Sequence, residues 1–225
     1  RRVLFRSKLE AASRPVLIGG HGVWWSCAEA DLEAPGRTLG IPIFNIPYHQ
    51  KLLGEESEAY MALADVHQYH PSADAFNESD LVLMVGARLD NQMNFGNAPL
   101  FPDTTELVCI NGSHEEIDFN RAADFTLLSD PSAFLKAMIA LSDSPNFTGD
   151  RSWYNLNRKR RGEWVTKMLD DVAEDANAPE FGGRIHPLQL AMDVQQAMGD
   201  EDWLVIDGDR KSTRLNSSHR CISYA

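Results

Sequence analysis

Ser-Asp-Leu-Val-Leu-Met-Val-Gly-Ala-Arg, residues 79–88, decides the fold. Residues 81–85 are apolar without period-two alternation, so a strand formed there needs cover on both faces, as strands of parallel sheets do. Gly86 ends the run and Arg88 follows almost at once. That places Arg88 beyond the carboxyl end of the strand, the end at which open parallel sheets bind ligands. Further strands read outward from this one: residues 15–18 before Gly19-Gly20-His21-Gly22, residues 41–46 with Pro42 at the entrance, residues 106–110 and residues 124–127. Between them the sequence predicts a helix capped by Ser26 that packs Ala28, Ala30, Leu32 and Leu39. Others are predicted at residues 71–77, 115–120 and 131–141, while residues 47–69 show no strong period. Strands alternating with helices predict right-handed βαβ units in an α/β fold, a doubly wound, Rossmann-like parallel sheet.

This central domain spans residues 14–142. Residues 143–185 change character: Ser-Pro-Asn linker chemistry is followed by an amphipathic helix with Trp153, Leu156, Trp164, Val165, Met168, Leu169 and Val172 near one stripe, and Arg158-Lys159-Arg160-Arg161 on a solvated face. Pro187 opens another helix, and residues 203–207 read as a strand, so residues 186–209 look like the truncated start of a second α/β domain. Residues 1–13 and 210–225 stand apart. Residues 3–7 and the aperiodic tail from Arg210 resemble translated sequencing-adapter read-through and are expected to be non-native or, at the front, linker.

Composition narrows the function. The 225 residues carry a net charge of −12, and residues 8–209 alone hold 14 basic against 33 acidic groups, a net of −19. Such a field repels nucleic acid and anionic membrane surfaces, and an anionic cofactor would need backbone amides or single arginines. Three cysteines without a C-x-x-C pair argue against disulfides and zinc; they fit reduced thiols in a cytoplasmic setting. His67-Gln68-Tyr69-His70 with Asp65 and Asp74 lacks a third ligand at metal spacing and reads as a surface loop.

The candidate ligand-side residues all follow predicted strands. Gly20 and Gly22 would let backbone N–H groups approach a pyrophosphate, or would simply form a tight turn; Trp25 stands where a dinucleotide fingerprint has its third glycine. Arg88 could grip a phosphate or ribose, or pair with one of the many acids. Asn111 and Asp130 could bond ribose or adenine edges, or cap the helices after them.

The order of motifs is that of a known family. Residues 15–23, 39–43, 79–90, Glu115-Glu116-Ile117-Asp118-Phe119-Asn120 and Ser129-Asp130 together resemble the central domain of thiamine-diphosphate-dependent enzymes. The likeness is greatest to the acetolactate synthase and 2-hydroxyacyl-CoA lyase branch, with Phe95-Gly96-Asn97-Ala98-Pro99 leaning towards the acyl-CoA lyases and oxalyl-CoA decarboxylase. Residues 186–207 resemble the start of the diphosphate-binding domain.

The resemblance implies a parent enzyme that makes or breaks a carbon–carbon bond next to a carbonyl. It would act on a 2-keto acid or 2-hydroxyacyl-CoA with thiamine diphosphate and Mg²⁺ bound between subunits of a homo-oligomer. The activating glutamate and the metal-binding motif belong to other domains, and Asp207-Gly208-Asp209 lies upstream of the latter, so this chain is expected to hold no catalytic or metal-ligating residue and to be inactive alone. In the family the central domain holds FAD, ADP or nothing. By resemblance Gly20, Gly22, Arg88, Asn111 and Asp130 occupy its ligand side, Asn111 standing where an aspartate is usual. Two rival readings are a stand-alone NAD- or nucleotide-binding module and a non-catalytic scaffold.

Overall fold

Six strands pair in parallel: β1 (Pro15–Gly19), β2 (Ile43–Asn45), β3 (Tyr60–Leu63), β4 (Leu81–Val85), β5 (Glu106–Asn111) and β6 (Phe125–Leu128), in the order β3-β2-β1-β4-β5-β6. The computed structural model describes residues 2–47, 52–65, 70–141, 150–177 and 185–199. The helices are α1 (Arg2–Ala11), α2 (His21–Trp25), α3 (Glu29–Leu39), α4 (His70–Glu78), α5 (Pro131–Ile139), α6 (Ser152–Asn177) and α7 (Pro187–Ala197). None of the described helices is long and apolar enough to cross a membrane. The chain divides after Arg161 into two compact units.

The doubly wound parallel sheet is as the apolar runs require. β1 and β4 run in register from Pro15 opposite Leu81 to Gly19 opposite Val85, and β4 pairs onward with β5. Alternate side chains enter opposite layers. Leu17, Ile43, Leu81, Leu83, Val85, Val108 and Ile110 join one buried cluster with Phe134, Leu135 and Met138 of α5. Phe44 meets Phe76 edge-on at a centroid separation of 4.9 Å, and Phe76 stacks on Phe101 at 5.2 Å. Each such side chain contributes about 1.5–3 kcal/mol by leaving water.

Several local expectations change. β3 falls within the stretch read as irregular: Tyr60-Met61-Ala62-Leu63 is buried throughout and so carries no alternation to detect. Ser26 does not cap the helix that follows: it closes the short α2, Cys27 then takes a left-handed φ of +49°, and Ala28 heads α3 without a side-chain cap. The helix expected at residues 115–120 is a single 3₁₀ turn, His114–Glu116; Asp118 and Asn120 have φ of +60° and +69°, which no helix accommodates. Residues 2–11, set apart from the domain in the sequence, form α1, whose Phe5 packs edge-on against Phe134 at 5.1 Å and whose Leu9 joins the core cluster. Together with α5 and β6, α1 lines an apolar groove of about 550 Å³.

The start of α6 belongs to the sheet unit. Trp153 Nε1 donates to Pro15 O at 3.0 Å and the Tyr154 hydroxyl donates to Glu58 O at 2.7 Å. Half of the basic run is not a solvated face. Arg160 donates to Glu78 Oε1 at 2.6 Å, and Arg161 donates to Tyr60 O at 2.7 Å and to Ser57 O, its guanidinium lying over the Tyr60 ring. These two side chains are 20% and 18% exposed. Of the expected apolar stripe, Trp153 and Val172 are buried and Trp164, Val165 and Met168 half-buried, whereas Leu156 and Leu169 are exposed and Tyr154 and Asn157 are buried instead.

In the second unit, His186 heads α7: its Nδ1 accepts the Leu188 N–H at 3.1 Å, while Nε2 lies 3.3 Å from Asp175 Oδ2. The strand expected at residues 203–207, Asp207-Gly208-Asp209, the tail 210–225 and His67-Gln68-Tyr69 lie outside the described residues.

The carboxyl ends of β1 and β4 are joined backbone to backbone. Gly20 N donates to Val85 O and Gly22 N donates to Gly86 O, both at 2.9 Å. Gly20 has an extended φ of −127°, so conformation does not demand glycine there. Space does. A Cβ at Gly20 would lie 2.3 Å from Gly86 O and 2.5 Å from Ala87 Cα, and one at Gly22 would lie 2.7 Å from Gly86 Cα. Gly20→Ala is therefore expected to cost about 3 kcal/mol or more in urea unfolding, since neither backbone can yield. Gly112→Ala, with no atom within 4 Å of the new methyl, is the control and should stay within about 1 kcal/mol of the parent. Equal stabilities for the two variants would contradict this packing.

Candidate functional site

Strand order reverses between β1 and β4, and the loops beyond their carboxyl ends form the crest at which sheets of this kind bind ligands. The glycine contact sets the geometry of that crest. It delivers His21 at the start of α2 beside the loop that carries Arg88 and Asp90. The loop after β5 adds Glu116 and Phe119.

Arg88 Nε lies 3.1 Å from Glu116 Oε2, and its guanidinium sits over the Phe119 ring, 5.4 Å from the centroid. Asp90 Oδ1 accepts the Gln92 N–H at 3.1 Å and so heads the 3₁₀ segment Asn91–Gly96. Asn120 donates its amide to Leu89 O, tying the two loops together. Arg121 reinforces the tie, donating to Gly96 O at 2.8 Å and Phe101 O at 3.0 Å.

The electrostatics follow from this crowding. Burial holds the His21 imidazole below 6.5, the Arg88 guanidinium lowers it further, and Glu116 and Asp90 oppose both. Burial pushes the Asp90 carboxyl up against the opposing pull of the Gln92 and Met93 N–H groups and Arg88. Burial likewise raises the Cys109 thiol on β5. Asp130 is held below the ordinary aspartate value, first by the Ala133 N–H and then by the Ser26 side chain.

The residues expected on the ligand side are thus placed as follows. Gly20 and Gly22 lie at the crest, but the amide donors assigned to a pyrophosphate are committed to β4 carbonyls. Of their two readings, the tight turn is the one with geometry behind it. The helix that follows has five residues, too few to build an appreciable dipole. Arg88 is at the crest and engaged by Glu116. Asn111 is buried at the end of β5, where Oδ1 accepts the Ser113 N–H at 3.2 Å; Ser113, not Asn111, heads the 3₁₀ turn. Asp130 caps α5 through the Ala133 N–H at 2.9 Å and has no bond to Arg88. His21, Asp90, Glu116 and Phe119 join the site without being among the residues expected there; His21 between Gly20 and Gly22, and Asp90 two residues beyond Arg88, carry the local signal in sequence.

The comparisons with known proteins agree on the family. A family model described as thiamine pyrophosphate enzyme, central domain, matches residues 6–138. The chain belongs to the thiamine pyrophosphate enzyme family as its central domain. A 2-hydroxyacyl-CoA lyase of Arabidopsis thaliana is 28% identical over 193 residues, covering 84% of this chain and 31% of that protein. The acetolactate synthase large subunit of Cyanidium caldarium is 24% identical over 194 residues, covering 85% of this chain and 32% of that protein. Among solved structures, the thiamine diphosphate-dependent 4-hydroxybenzoylformate decarboxylase of Rhodococcus jostii RHA1 superimposes with a TM-score of 0.53 at 18% identity, over 63% of this chain and 27% of that one. At that identity the likeness is one of fold. The chain spans about a third of the length of the curated relatives it matches.

Two cofactors implied by the family can be tested against the residues present. Among the described residues no three His, Cys, Asp or Glu side chains converge to hold a metal ion. A nucleotide phosphate at the crest fares little better, because the nearest amides donate to the sheet and the nearest guanidinium faces a carboxylate.

The cluster makes a titration prediction. Arg88→Ala should raise the His21 pKa towards 6.5, and Glu116→Gln should lower it further, as followed by NMR of the imidazole C–H resonances. Because the folded value is depressed, the unfolded chain takes up a proton near pH 6.5 that the native state refuses. Stability therefore falls as pH drops through 6.5 and levels off below the folded value. Both side chains of the ion pair are at least a third exposed, so either substitution should change stability by less than about 1 kcal/mol. A His21 pKa indifferent to both changes would contradict the arrangement.

Proposed function

We propose that the chain is the middle section of a thiamine-diphosphate- and Mg²⁺-dependent enzyme that makes or breaks a carbon–carbon bond next to a carbonyl. The observation that carries this is the family match over residues 6–138, supported by relatives named 2-hydroxyacyl-CoA lyase and acetolactate synthase. The parent's substrate on this reading is a small 2-keto acid or 2-hydroxyacyl-CoA. Thiamine diphosphate supplies an electron sink for the carbanion equivalent that such a reaction generates. The sheet domain contributes no reacting group: its crest side chains are occupied with one another, and its role is to position flanking domains within a homo-oligomer. FAD or ADP is the ligand the resemblance offers for the crest, and no step is assigned to it.

Strand order 3-2-1-4-5-6 is shared with dinucleotide-binding domains, so topology alone leaves the NAD-module reading standing. The family match, not the fold, separates them. The test uses the uninterrupted protein with thiamine diphosphate and Mg²⁺, offered a 2-hydroxyacyl-CoA and, separately, pyruvate, with products followed by mass spectrometry. Carbon–carbon cleavage or condensation that disappears when thiamine diphosphate is omitted is the expected result, with the 225-residue chain inert by itself. No turnover of either donor, or turnover that needs NAD instead, would contradict the proposal.

A further inference from the structure

The nearest cation at the crest already has an anion. Arg88 is held by Glu116 at 3.1 Å and backed by the Phe119 ring. The other arginine of these loops, Arg121, points its guanidinium at the carbonyls of Gly96, Phe101, Pro102 and Thr105. His21 resists protonation. Against these stand the carboxylates Asp90, Glu115, Glu116 and Asp118 in the same two loops. Of the groups expected to cradle a phosphate, the Gly20 and Gly22 N–H groups donate into β4, and the Asn111 and Asp130 side chains serve a local turn and a helix cap.

We propose that Glu116 is the specificity-determining residue of this crest: its carboxylate is an internal counter-anion that occupies Arg88 and keeps adenine nucleotide diphosphates out. A diphosphate arriving at Arg88 finds the Nε edge taken by Glu116 and must either displace that carboxylate or bind the remaining guanidinium N–H groups beside it. Both cost affinity, and the repulsion persists even when the exposed pair opens readily. Neutralising Glu116 removes both at once while keeping the shape of the side chain. Glu115 is the discriminating neighbour. It is one residue away and also a glutamate, but makes no ion pair with Arg88. The inference concerns this chain's own crest and stands apart from the reaction proposed for the parent.

The experiment is a calorimetric titration of the 225-residue chain with ADP at low ionic strength, up to about 5 mM ligand, on the parent, Glu116→Gln, Glu115→Gln and the double variant Glu116→Gln/Arg88→Ala. Melting temperatures serve as a control for folding. The parent should show no saturable binding. Glu116→Gln should bind at least about tenfold more tightly, equivalent to about 1.4 kcal/mol. Glu115→Gln should gain no more than about twofold, and the double variant should lose the gain. Saturable ADP binding by the parent at sub-millimolar concentration would overturn the proposal. So would a Glu115→Gln gain as large as that of Glu116→Gln, which would mean general charge relief, or a Glu116→Gln variant that folds normally and still fails to bind.

Discussion

Two glycines pressed against the end of a neighbouring strand organise everything above them. Because Gly20 and Gly22 have no side chains, the turn after β1 can lie directly on Gly86 and Ala87, and its N–H groups complete the hydrogen bonding of β4. Backbone amides buried in that way are satisfied by the sheet itself. His21 and Arg88 are brought near one another as a consequence, being the first polar side chains on either side of the seam. Glycines here look in sequence like a phosphate cradle, yet the requirement they meet is steric. The same residue type answers both needs, and only the partner of the N–H tells them apart.

Charge shapes the remainder. With a net of −19 between residues 8 and 209, most basic side chains in the sheet unit are expected to find acids close by, and they do. Arg88 meets Glu116, Lys8 meets Glu106, and Arg160 meets Glu78. Exposed pairs of this kind add little to stability. Where the guanidinium also reaches backbone carbonyls, as at Arg161 and Arg121, it acts as a mechanical fastener between elements distant in sequence. That is why part of a basic run which resembles a surface feature turns out to anchor α6.

How much of this was legible depended on whether a feature was local. Residues 81–85 announce a buried parallel strand because covering both faces leaves no other pattern, and the alternation with helices then implies the doubly wound sheet. The same burial concealed β3: Met61 and Ala62 carry weak strand preference, and what encloses Tyr60 includes Arg161, a hundred residues on. Left-handed φ at Cys27, Asp118 and Asn120 cut expected helices short, and none of these is the glycine that would have advertised it. Arg88 stands out by following a strand, whereas its partner Glu116 lies 28 positions away in an expected helix, where it reads as part of a family motif and not as a partner of Arg88. The family resemblance rests on the order of several modest motifs, which is why it survived errors in individual elements.

Amide hydrogen exchange at Gly20 and Gly22 is the most direct measurement. If these N–H groups belong to the sheet, they exchange as slowly as those of Leu17 and Leu83 in the strands below, and added ADP leaves them unchanged. Rapid exchange in the unliganded chain, slowed only when nucleotide is present, would show instead that they await a phosphate and that the crest is an open nucleotide site.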